Sequence, residues 1–81
     1  MAIARASEDD LAERASRFLK AEMKRAGVTY EEMAERLQAY GLKETRDSVA
    51  AKLKRGTFAA TFLFACMAAL KLEEFKLKDI C

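Results

Sequence analysis

The sequence predicts an all-α fold, a compact bundle of four to five helices, from three observations. Apolar residues recur at three- and four-residue spacing along most of the chain. Most of these stretches open on a Ser or Thr that can cap a helix and close on a Gly suited to the left-handed turn beyond one. No proline interrupts the 81 residues, and Ala, Leu, Glu, Lys and Arg, all good helix formers, dominate. A chain of this length holds one domain, here 1–81, with a thin core, so an unusually apolar exposed element would point to self-association.

The first helix is expected over 7–26. Ser7 opens it, with Asp10 three residues on as a short capping-box partner and Glu8 and Asp9 at the positive end. Leu11, Ala15, Phe18, Leu19, Met23 and Ala26 form its apolar stripe, and Gly27 ends it after Lys24 and Arg25. Glu22 falls inside the stripe, placed to pair with a basic residue of another helix.

The second helix, 29–40, has both ends written out. Thr29-Tyr30-Glu31-Glu32 is a capping box, Val28 and Met33 are spaced for a hydrophobic staple, and Gly41 with Leu42 suits a Schellman turn closing over Leu37. The third helix, 45–55, starts at Thr45 and stops at Gly56. Its seam of Val49, Ala50 and Leu53 is narrow, which leaves Arg46, Asp47, Lys52 and Lys54 outward. The fourth, 57–70, is capped by Thr57 and carries no charge. Apolar residues ring it, so it is central to the core or shared with another chain. Its 13-residue run, 58–70, falls short of the ~20 apolar residues needed to span a bilayer. The tail 72–81 reads either as a short fifth helix, from Leu72, Phe75 and Ile80, or as an extended segment packed on the core.

Function classes narrow by elimination. No histidine is present, and Cys66 and Cys81 lack metal-ligand spacing, so no metal or other cofactor is expected. Cys66, inside an apolar run, reads as a small buried hydrophobe. Ser7, Ser16 and Ser48 have no histidine base, and no glycine-rich phosphate loop occurs, so an enzyme is not expected. Glu31, Glu32 and Glu35 are explained by capping and solvation. Residues 1–6 lack the apolar run of a signal peptide, which favours a cytoplasmic protein with no membrane segment.

The net charge is only +2, but its excess is local. Segment 42–57 carries five cations (Lys43, Arg46, Lys52, Lys54, Arg55) against two anions (Glu44, Asp47). Two readings stand: a phosphate-contacting patch, or a solvated helix face in which Arg46 and Asp47 partly neutralise each other. Phe58 and Phe62 read as core, whereas Phe64 and Met67 are candidates for a homodimer interface.

The segment Gly27-Val28-Thr29-Tyr30-Glu31-Glu32-Met33-Ala34, with Leu37 and later Leu53-Lys54-Arg55-Gly56, resembles the helix-turn-helix of the lambda-repressor-like (Cro/C1-type) family. The stretch 18–77 also looks like a family of short uncharacterised bacterial proteins, which brings no activity with it. The first resemblance implies a helix-turn-helix core and a small DNA-binding regulator acting as a homodimer. It implies that Arg46, Ser48, Ala51 and Lys52 face base edges or adjacent phosphates, and that Thr29 and Tyr30 approach a phosphate. Lys43, Lys54 and Arg55 complete the expected DNA-binding set. The alternative is a non-catalytic protein-interaction or dimerisation module.

Three departures qualify the resemblance. Tyr30 replaces the usual glutamine. The linker from Gln38 to Thr45 is about four residues longer than the usual turn. Met23 and Lys54 stand where family members often place a buried arginine–glutamate pair.

Overall fold

A computed structural model describes residues 7–80, with the side chains of 79 and 80 left aside. The elements in order are α1 (Glu8–Ala26), α2 (Tyr30–Leu37), a 3₁₀ turn (Gln38–Tyr40), α3 (Arg46–Arg55), α4 (Ala60–Ala69) and α5 (Leu77–Ile80). α2 packs on α3 and α4, and α1 packs on α3 and α5. No helix among the described residues is long and apolar enough to cross a membrane.

Side-chain chemistry at the ends sets the first three helices. Ser7, Thr29 and Thr45 each accept from the backbone N–H three residues on, and Asp10, Glu32 and Ser48 return a bond to the cap residue's own N–H. These reciprocal boxes satisfy amides that a helix start would leave without partners. Gly27, Gly41 and Gly56 all hold positive φ at the C-terminal ends. At Gly41 the turn is a full Schellman motif: Gly41 N–H donates to Gln38 O at 3.0 Å and Leu42 N–H to Leu37 O at 3.2 Å.

α4 departs from its expected start. Thr57 is not its cap. The helix begins at Ala60, after Ala59 in extended geometry, with no side-chain capping bond and no acid in its first turn. Segment Gly56–Phe58 runs instead beside Ala12 and Ala15 of α1, and Phe58 stacks on Phe62 with ring centroids 5.2 Å apart. Lys71, the one described non-glycine residue at positive φ (60°), closes α4 in the same Schellman pattern: Lys71 N–H reaches Ala68 O and Leu72 N–H reaches Met67 O.

The core gathers Phe18, Leu19 and Met23 of α1, Met33 and Leu37 of α2, Val49 and Leu53 of α3, and Phe62 and Cys66 of α4. The inward face of α1 is rotated slightly from the expected stripe. Leu11 and Ala26 are exposed, whereas Ser16 is buried. Its hydroxyl donates to the carbonyl of Leu53, one of the last-turn oxygens that α3 cannot satisfy internally. Arg36 serves α4 likewise, donating from Nη1 to Ala69 O at 2.9 Å. Glu22 does not reach another helix; it pairs with Arg25, one turn on, at 2.8 Å.

The tail resolves as both alternatives in succession. Residues 72–76 have no regular structure, with Leu72 and Phe75 packed on the core and Phe75 against Phe18 at 5.7 Å. The single turn of α5 follows. The expected role of the Ile80 side chain, and everything expected of 1–6 and Cys81, lies outside the described residues.

Candidate nucleic-acid interface

Of the nine residues expected to meet DNA, the fold turns some outward and draws others in. Thr45 and the seam residues Val49 and Leu53 fix the rotation of α3 about its axis. With Val49 and Leu53 fully buried, Arg46, Ala51, Lys54 and Arg55 are exposed, as is Lys43 in the loop before the helix. Thr29 is exposed and Tyr30 half-buried at the start of α2.

Lys52 and Ser48 are drawn into contacts within the fold. Lys52 is only partly exposed: its Nζ lies 2.5 Å from Glu44 Oε2 and 5.1 Å from the centroid of the Phe62 ring. Ser48 donates to Glu44 Oε1 at 2.6 Å and accepts from Thr45 N–H at 2.8 Å, so its hydroxyl is engaged in the cap of α3. The physical reason is the long linker before α3. It returns Glu44 to the side of α3 with its side chain only 8% exposed. A carboxylate that deeply placed requires a cation and donors.

Burial pushes the Glu44 carboxyl upward, but the hydrogen bonds from Lys52 and Ser48, with the Lys52 charge, outweigh it and hold the group below its ordinary 4.5. A folded-state value lower than the unfolded one contributes stability that is present above pH 4.5 and lost as pH falls through the folded value. Glu44→Gln is therefore expected to be less stable than the parent at neutral pH, with the gap closing on acidification below that point. Urea unfolding across a pH series measures it, and a gap independent of pH would refute the assignment. The charges of the same cluster act on Cys66. Burial first, then the nearby Glu44 charge, pushes its thiol up to about 12, against a smaller opposing effect of Lys52.

Arg46 is also paired, with Asp47 at 3.2 Å, but the two side chains are 66% and 91% exposed. Such a pair contributes ~0–1 kcal/mol, so Arg46 remains available to another anion. Beside it opens a cleft of about 590 Å³ that sequence reasoning missed. Lys20 and Lys24 of α1 line it together with Arg46, Thr29 and Tyr30; Glu31 is its one acid, and Met23 and Val28 form an apolar base. Lys20 and Lys24 stand one turn apart on a single helix face, which is visible in the sequence. Their convergence with Arg46, 22 and more residues away in the chain, depends on how α1 meets α3 and is not.

The expected dimer pair divides as well. Phe64 is 61% exposed, whereas Met67 is buried and can contribute only an edge to a surface.

Neither the curated proteins nor the solved structures provide a match to this chain. A family profile described as a domain of unknown function (DUF6471) matches residues 11–75, from the first turn of α1 to the Phe75 contact. With most of its length matched, the chain belongs to the DUF6471 family.

Proposed function

We propose that the protein binds duplex DNA through the outer face of α3 and the adjoining cleft, in the manner of a helix-turn-helix regulator. The observation that carries this reading is the convergence of Arg46 with Lys20 and Lys24 on one cleft, with Lys54 and Arg55 also exposed at the far end of α3. Three cations around one concave surface suit a backbone phosphate. The exposed Ala51 leaves the middle of α3 low enough for a base edge to approach. Lys52, held by Glu44, takes no part.

Such an interface gives mostly sequence-independent affinity, with Kd of about 10⁻⁴–10⁻⁶ M at physiological salt. Fluorescence anisotropy with a labelled duplex, repeated over a salt series, tests it. The logarithm of the association constant is expected to fall linearly with log salt, and Arg46→Ala with Lys54→Ala should reduce that slope by about two. Lys52→Ala should leave the slope unaltered. Binding that ignores salt, or that survives the Arg46/Lys54 double change intact, would refute the proposal.

A second reading, a protein-interaction module, is favoured by one separate observation: the exposed Phe64 ring on the charge-free α4.

A further inference from the structure

We infer that α1, rather than α2, lies against the DNA backbone, with Arg17, Lys20 and Lys24 forming a row that holds the phosphates of one strand beside α3. This inference rests on the duplex binding proposed above and names the helix that orients the duplex.

Three contacts show that α1 and α3 run side by side in opposite directions. Gly56, just beyond the end of α3, lies against the backbone of Ala12. Ser16 donates to the carbonyl of Leu53. Lys20, Met23 and Lys24 meet Arg46, the first residue of α3, across one cleft. Followed forward along α1, α3 is therefore met in reverse. The buried Val49 and Leu53 divide α3 into two edges. Ser48 and Lys52, spaced by four, form the edge drawn to Glu44. Arg46, Ala50 and Lys54, spaced by four as well, form the other edge, which begins at the cleft shared with α1. On α1, Arg17, Lys20 and Lys24 recur at spacings of three and four and are all exposed, so they share one face.

The unpaired charges separate with this geometry. Lys20, Lys24 and Lys54 make no ion pair among the described residues. The anions on their side, Glu13 and Asp47, each stand beside an arginine, Arg17 and Arg46, in exposed pairs that yield readily to another anion. α2 is the reverse. It turns Glu31, Glu32 and Glu35 to solvent, and its one cation, Arg36, donates to Ala69 O. Glu31, on the cleft wall, marks the border between the two surfaces. In a helix-turn-helix the helix before the recognition helix crosses the DNA backbone. Three carboxylates oppose that role for α2, whereas three cations suit α1 to it. Their row is about 10 Å long, and a strand carries one phosphate per ~3.4 Å of duplex axis, so a strand lying along α1 offers each cation a phosphate.

Fluorescence anisotropy with a labelled duplex over a salt series tests this, with thermal melts confirming that each variant is folded. Lys20→Ala with Lys24→Ala should reduce the slope of log association constant against log salt by about two, and Arg17→Ala by about one. Lys43→Ala with Lys71→Ala, which removes the same charge elsewhere, should leave the slope nearly unaltered. Glu35→Gln should raise the affinity less than about threefold, because α2 stays clear of the phosphates.

Binding that still depends on Arg46 and Lys54 but keeps its slope in the Lys20/Lys24 variant would overturn the inference and leave the duplex reading standing. An equal loss of slope in the Lys43/Lys71 variant, or a larger gain in affinity from Glu35→Gln, would do the same. Absence of any salt-dependent binding would overturn both.

Discussion

Gly56→Ala is expected to remove a large part of the stability of the fold. Gly56 sits at φ +73°, and a Cβ placed there would lie 2.0 Å from the carbonyl oxygen of Ala12 and 2.6 Å from its carbonyl carbon. The obstacle is the backbone of a 19-residue helix, not a side chain that can rotate aside. The left-handed conformation alone costs a residue with Cβ about 1–2 kcal/mol. Forcing α1 and α3 apart adds about 1–3 kcal/mol. A domain of this size holds only about 4–12 kcal/mol in all. The melting temperature should fall by roughly 15–30 °C, or no cooperative transition should remain.

Gly41→Ala is the matched control. Gly41 has φ +82° with no atom within 4 Å of the added carbon, so only the conformational cost of about 1–2 kcal/mol applies. Circular dichroism melts of both variants decide the matter. Equal, small losses would mean that α1 and α3 do not approach as closely as their backbones indicate.

Leu53→Ala carries a comparable expected loss, about 2–5 kcal/mol. The side chain is fully buried, with Val49 it anchors α3, and its carbonyl receives the Ser16 hydroxyl from α1. Truncation leaves a cavity between helices that are already pinned together at Gly56 and Ser16, so the site cannot collapse freely. Urea unfolding should show a lower midpoint with an unchanged slope. A loss under about 1 kcal/mol would show that α3 is not fixed by this residue.

Legibility in the sequence followed the range of the interaction. α2 could be read at both ends because Thr29, Glu32 and Gly41 act within a few residues of one another. All three glycine stops were legible for the same reason. That Gly56 alone is also a crossing point was not, because the other party, Ala12, lies 44 residues away. Ser16 could be seen only as a hydroxyl without a base, since its acceptor belongs to another helix. Lys52 was assigned outward because seam spacing shows which residues of α3 can point inward, but not that Glu44 would bend back to meet them. Thr57 offered a correct cap chemistry in the wrong place: the chain must first pass α1 before α4 can begin. The helix-turn-helix resemblance depended on α2 and the end of α3, and the linker that departs from it carries Glu44.

Cys66 gives the molecule an internal timer. The residue is almost completely buried on the inner side of α4, and burial pushes its thiol up to about 12, so little thiolate is present at neutral pH. An alkylating reagent reaches it only when α4 lifts from α3 and the Glu44 loop. With Cys81 replaced by serine, the rate of modification at position 66 then counts excursions of α4, so the breathing of the helix that carries Phe64 is recorded as a chemical yield.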